Sequence, residues 1–109
     1  MIQVVNRHTY KGDGIYIGRP SPLGNPFARF DYAHVKFKVG SRREAIDAYE
    51  DWLDEQPEDS PAKQELIRLA KIYKDTGNLV LICSCAPSPC HGHIISKKIL
   101  VMVGSNEII

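Results

Sequence analysis

The spacing of apolar residues changes period three times along this chain. Over the first forty residues it is short and strand-like. Ile2 to Val5 is β-branched and apolar enough for a strand. Lys11-Gly12-Asp13-Gly14 is turn chemistry, and Ile15-Tyr16-Ile17 predicts a second strand. His34 to Val39 alternates, with Val35, Phe37 and Val39 on one face and charges on the other. That pattern predicts a half-solvated strand near a sheet edge.

From Ser41 the period becomes helical. Ser41-Arg42-Arg43-Glu44 matches a capping box, and Ala45, Ile46, Tyr49, Trp52 and Leu53 follow as one apolar stripe. Ser60-Pro61 starts a second helix. Ala62, Leu66, Leu69, Ala70 and Tyr73 give it a buried face. Lys71 and Lys74 suit its negative end, and Gly77 is a left-handed stop. Leu79-Val80-Leu81-Ile82-Cys83 is apolar at every position, which predicts a central strand buried on both faces. From about His91, the residues Ile94, Ile95, Ile99 and Met102 restore the helical period, which ends at Gly104. Strands and helices in this order predict an α/β fold over residues 1–109: one small Rossmann-like open sheet, with a central buried strand and helices packed on it. There are no internal repeats and no low-complexity stretch.

Composition narrows the picture. A chain of 109 residues is long enough for one core, and 43% hydrophobic with 25% charged residues is ordinary for a globular protein. Net charge +1 gives no case for nucleic acid or an anionic membrane surface. No apolar run approaches the roughly 20 residues that span a bilayer, and MIQVVNRHTYK lacks the apolar stretch of a secretory signal. Three cysteines cannot all pair, so a reduced, cytoplasmic setting is expected.

All three cysteines fall in "CSCAPSPCHGH", residues 83–93, between the buried strand and the last helix. Ligands of open α/β sheets bind beyond the carboxyl ends of such strands. Pro87 and Pro89 remove two backbone donors, so a full phosphate-binding nest is excluded. The start of the last helix remains, and there the helix end and an imidazole would favour a thiolate at Cys90, below the usual pKa of about 8.5. Cys90 and His91 are therefore the candidate catalytic pair. No arginine lies six residues beyond Cys85 or Cys90, which excludes tyrosine-phosphatase chemistry. Cys83, Cys85, Cys90 and one of His91 or His93 have the count and softness of a zinc set. The C-x-C spacing is poor for zinc, since alternate residues at a strand end do not converge as C-x-x-C does. Cys83 alone reads as a small hydrophobe closing a buried strand.

A second irregular stretch is Gly18-Arg19-Pro20-Ser21-Pro22-Leu23-Gly24-Asn25-Pro26-Phe27. Three prolines and two glycines make a stiff loop that is neither helix nor inner strand. Arg19 can grip a phosphate or carboxylate with a bidentate fork, Ser21 adds a hydroxyl and Asn25 offers both donor and acceptor. A plain surface turn is the alternative for this loop. His8 follows the first strand and is a weaker candidate. His34 is expected on the solvated side of an edge strand, and Asp13 is a turn residue.

"YIGRPSPLGNPF" followed by "CSCAPSPCHG" resembles an uncharacterised family of phages and bacteria, the domain of unknown function 4326. The resemblance runs from Val4-Val5-Asn6 to the last helix. It carries over to Gly18, Arg19, Ser21, Leu23, Gly24, Asn25, Pro26 and Phe27, and to Cys83, Cys85, Pro87, Cys90, His91 and Gly92. The family usually has an acidic residue after C-H-G, where this chain has His93. The resemblance implies that the two motifs belong together and supplies no activity.

The residues then point to a small ligand-binding domain for a nucleotide or sugar-phosphate, held between the Arg19–Asn25 loop and the Cys85–His91 turn. Arg19, Ser21, Gly24, Asn25, Cys85 and Gly92 are the expected ligand contacts. Chemistry rests on Cys90 and His91 alone, because no triad, paired carboxylates or Walker-type motif is present. No cofactor is expected on this reading. Two other classes stay open: a protein-interaction module, as in a phage effector, with the loops as its contact surface, and a zinc-stabilised module.

Overall fold

The computed structural model describes residues 1–30, 34–84 and 90–104. Strands β1 (Ile2–Asn6), β2 (Ile15–Tyr16), β3 (Phe27–Ala28) and β4 (Phe37–Lys38) precede helices α1 (Arg42–Glu55) and α2 (Pro61–Thr76). Strand β5 (Leu79–Cys83) and helix α3 (His91–Gly104) complete the order. Three strands form a parallel sheet in the order β1-β5-β2. The all-apolar run is therefore central, and the fold is an open α/β sheet with helices packed on it.

Register explains a short connection. Ile2 to Asn6 pair with Leu79 to Cys83, whereas β2 pairs only at Leu81 and Ile82. The chain from β1 to β2 thus falls back only about two residues, roughly 7 Å along the sheet. Residues 7–14 cover that without the helix that parallel crossovers usually need.

Burial of β5 is complete at alternate residues only. Leu79, Leu81 and Cys83 are buried beneath the helices, while Val80 and Ile82 are half-buried. The expectation of burial on both faces is corrected here. Gly14 contributes to the difference: a Cβ there would lie 2.9 Å from Ile82 Cδ1 and 3.0 Å from Val80 Cγ1. With hydrogen in its place, that edge leaves the outer face partly open.

The helices form as their sequence predicts. The Ser41 hydroxyl accepts the Glu44 N–H, and the Glu44 carboxylate accepts the Gly40 N–H one residue before the cap. Ser60 accepts the Lys63 N–H, and Gly77 ends α2 at φ 74°. Ala45, Tyr49 and Leu53 of α1 join Leu66, Leu69 and Ala70 of α2 and Ile95 and Ile99 of α3 in the core. Ile46, Trp52, Tyr73, Ile94 and Met102 sit half-buried at its margin. Lys98 of α3 bridges Glu50 and Asp54 of α1, an exposed contact of small energetic weight. No helix among the described residues is long and apolar enough to cross a membrane.

The segment from His34 to Val39 departs from the alternation. Only Phe37 and Lys38 form a strand, paired in parallel with β3 in a separate two-stranded sheet. Phe37 is 50% exposed and stacks on Phe27, ring centroids 5.0 Å apart. Ala28 of β3 is buried, whereas both residues of β4 are exposed, so the alternation there reports a pairing preference and adds no core. His34 precedes the strand at φ 66°.

Because β5 is hydrogen-bonded on both sides, the amides of Val80 to Ile82 should exchange at the rate of global unfolding. Hydrogen exchange read by NMR checks this; exchange there as fast as in residues 11–14 would contradict a central strand.

Candidate functional site

Parallel pairing sends the carboxyl ends of β2 and β5 to the same edge, so the loop after β2 and the start of α3 after β5 meet there. Side-chain hydrogen bonds to main-chain carbonyls hold that loop. The Tyr16 hydroxyl donates to the Arg19 carbonyl at 3.1 Å and the Tyr49 hydroxyl to the Leu23 carbonyl at 2.8 Å. Asn25 Nδ2 donates to the Ala45 carbonyl of α1 at 3.2 Å, and His91 Nε2 bonds the Ile17 carbonyl at 2.7 Å. Burial pushes the Tyr49 phenol far above its ordinary range, and negative charge at Cys90 would add to the shift. Tyr49 is therefore held as a neutral donor.

Within the loop, Arg19 Nη1 donates to the Asn25 carbonyl at 2.9 Å and Asn25 Oδ1 accepts the Phe27 N–H at 2.9 Å. The limbs of the loop touch at Gly24, where a Cβ would lie 3.0 Å from Arg19 Cα. Much of the motif thus builds the loop itself. The Ser21 hydroxyl oxygen is buried with no hydrogen-bond partner among the described residues.

The start of α3 is as closely determined. Cys90 is 4% exposed and His91 8%. A carbonyl only accepts, so His91 Nε2 carries the proton in its bond to Ile17, leaving Nδ1 as the ring's basic position. The Tyr49 ring meets the imidazole edge-on, centroids 5.2 Å apart. Gly92 is a close-approach residue: a Cβ would lie 2.8 Å from Val4 Cγ1 and 3.0 Å from Ile17 Cδ1. Cys90 precedes the helix, its sulfur accepts the Gly92 N–H at 3.4 Å, and its own N–H donates to His93 Nδ1 at 3.2 Å. That is the reciprocal pattern of a capping box, with sulfur and imidazole in the places of a hydroxyl and a carboxylate. His93 is exposed and serves the helix end.

A cavity of about 580 Å³ opens at this edge, within the roughly 300–1,000 Å³ typical of small-molecule sites. Arg19, Asn25, Cys90 and His91 line it, so both motifs contribute to one wall. Ser21, Gly24, Gly92 and Cys83 are not among the lining residues; they support it from behind. Cys85 lies outside the described residues. Arg29, Phe30, His34 and Arg42, from the β3-to-α1 stretch, line it as well, together with Tyr16 and Phe27. His34 is exposed, as expected, but it precedes β4 rather than lying in a strand, and it lines the open cavity. His8 follows β1 at the same edge but does not line the cavity, its N–H bonded to Asn6 Oδ1. No aspartate or glutamate occurs among the described lining residues, against three arginines and two histidines.

Of the zinc set, Cys83 and Cys90 bring their sulfurs to 3.5 Å, while His91 Nε2 is committed to Ile17. Among the described residues no group of three or more His, Cys, Asp or Glu side chains is arranged to hold a metal.

Fold and site together define a small α/β domain with a basic, aromatic-lined cavity at the carboxyl edge of its parallel sheet. Residues 3–100 match the family model of the domain of unknown function DUF4326, and the chain belongs to that family. No curated protein and no solved structure matches it.

Position 93 gives a direct test of the helix-end assignment. Replacing His93 with Glu should leave stability within about 0.5 kcal/mol, because a carboxylate accepts the same N–H and suits the positive helix end. Replacing it with Ala should cost about 1 kcal/mol in urea denaturation. Equal losses in both variants would contradict the capping role.

Proposed function

We propose that this domain binds a small phosphorylated ligand carrying an aromatic ring, a nucleoside phosphate, in the cavity between the Arg19–Asn25 loop and the start of α3. The observation that carries this reading is the composition of the wall: three guanidinium groups and no described carboxylate. Such a wall repels cations and offers charge-assisted donors to an anion. Sugar-phosphates satisfy that condition equally. Aromatic side chains favour the nucleotide, since Phe27, Phe30 and Tyr16 also line the cavity and Phe30 is 53% exposed at its rim. The Arg29 guanidinium stands 5.1 Å from the Phe30 ring centroid, so stacking surface and positive charge lie side by side. His91 and Cys90 act in this reading as wall and tether for the β2 loop.

Isothermal titration of the full chain with ADP, ribose 5-phosphate and inorganic phosphate tests the proposal. ADP should bind more tightly than ribose 5-phosphate, and its affinity should fall as salt rises. Arg42→Ala should weaken ADP by about tenfold or more, the loss of one charge-assisted bond, with Phe30→Ala weakening ADP but not phosphate. Equal affinity for ADP and uncharged adenosine, or no ADP binding at millimolar concentration, would refute it.

A further inference from the structure

The cavity description leaves one pair of groups unused. Cys83 ends β5 and Cys90 precedes α3; both are buried, at 0% and 4% exposure, and their sulfurs lie 3.5 Å apart. A disulfide needs about 2.05 Å, so closing the bond asks for a shift of only about 1.5 Å. We infer that Cys83 and Cys90 are a redox-active pair that closes into a reversible disulfide in the wall of the cavity.

Three features support this beyond proximity. The two thiols sit on different elements, one on the central strand and one at a helix start, so the bond would clamp α3 to β5. Their environments differ in the way a nucleophile and a resolving thiol require. Cys90 lines the cavity and its sulfur faces the Gly92 N–H at the positive end of a 14-residue helix, surroundings that favour thiolate charge. Cys83 lies behind it, sealed from solvent. Access is therefore ordered: a small reagent entering the cavity meets Cys90 first.

The chemistry balances with a low-molecular-weight disulfide as oxidant. The Cys90 thiolate attacks one sulfur of RSSR, forming a Cys90–S–S–R bond and releasing RS⁻. Cys83 then loses its proton and attacks the Cys90 sulfur, forming the Cys83–Cys90 bond and expelling a second RS⁻. Two protein thiols are oxidised by two electrons, and RSSR becomes two RSH once the released protons are taken up. In a reducing setting the exchange runs backwards, so the pair is a switch and no permanent staple. Closure would draw the Cys90 sulfur away from the Gly92 N–H and shift the helix start that carries His91.

Incubation of the full chain with oxidised glutathione, followed by iodoacetamide quenching and peptide mapping, tests this without any ligand, so it stands or falls separately from nucleotide binding. The expected result is a peptide cross-linked through Cys83 and Cys90, with Cys85 still alkylated and full reversal by dithiothreitol. Amide signals of Gly92 and His93 should move on oxidation. Cys85→Ser should form the same link, which keeps the test decisive even if Cys83→Ser or Cys90→Ser fails to fold. A link through Cys85, a glutathione adduct that never resolves, or three thiols that all stay alkylated would overturn the inference. So would stoichiometric zinc that blocks both thiols until a chelator is added.

Discussion

The bond from His91 Nε2 to the Ile17 carbonyl, 2.7 Å and buried, is the constraint on which this edge of the molecule depends. It ties the first turn of α3 to the residue where β2 ends and the proline-rich loop begins. With Gly92 pressed against Val4 and Ile17, it leaves the helix a single seat on the sheet. Every other feature follows from that seat. Cys90 comes beside Cys83, Tyr49 reaches both the imidazole ring and the Leu23 carbonyl, and the cavity gains a fixed wall. A buried imidazole whose ring nitrogen met no acceptor would cost about 1–3 kcal/mol, so the tether and the fold reinforce one another.

Charge at this edge is a matter of sorting. The chain carries 14 basic and 13 acidic residues, and its net charge of +1 suggests indifference to anions. Described acidic side chains are placed elsewhere: Glu50 and Asp54 answer Lys97 and Lys98, Glu65 pairs with Arg68 and Asp47 with Arg43. Those pairs sit along the helices. The cavity keeps Arg19, Arg29 and Arg42 with no described carboxylate among them. Local field, rather than total charge, decides what such a cleft attracts.

Much of the frame was legible because it is periodic. Both capped helices, the α3 pattern and the apolar run of β5 announce themselves in windows of five to sixteen residues. The meeting of the two motifs was legible too, since loops after parallel strands share an edge. The β3-to-α1 contribution to the cavity was not. Arg29, Phe30, His34 and Arg42 have no spacing that marks them, and they converge where a two-residue parallel ladder sets β4 beside β3 ahead of α1. His34 looked like part of a strand because the alternation from Val35 to Val39 imitates an edge strand longer than the one that forms. Gly24 and Gly92 looked like ligand contacts because glycine near a site suggests close approach. The approach is real, but the partners are the Arg19 backbone in one case and Val4 and Ile17 in the other.

Those packing roles separate two jobs within one edge. In G-R-P-S-P-L-G-N-P-F, the Arg19 and Asn25 side chains are engaged with main-chain groups of the loop and of α1, and Leu23 is buried at 1% exposure. In C-H-G-H, His91 tethers, Gly92 packs, and His93 with Cys90 caps. The motifs are distinctive because a stiff loop and a helix start can be locked together in few ways. Side chains that lock a scaffold cannot also adapt to a ligand without loosening it, so on the proposed reading discrimination falls to residues with reach to spare. Arg42, exposed at the first position of α1, and Phe30, half-exposed at the rim, meet that condition. On the proposed reading, selectivity would lie with these two residues, and the motifs would supply the rigidity against which they act.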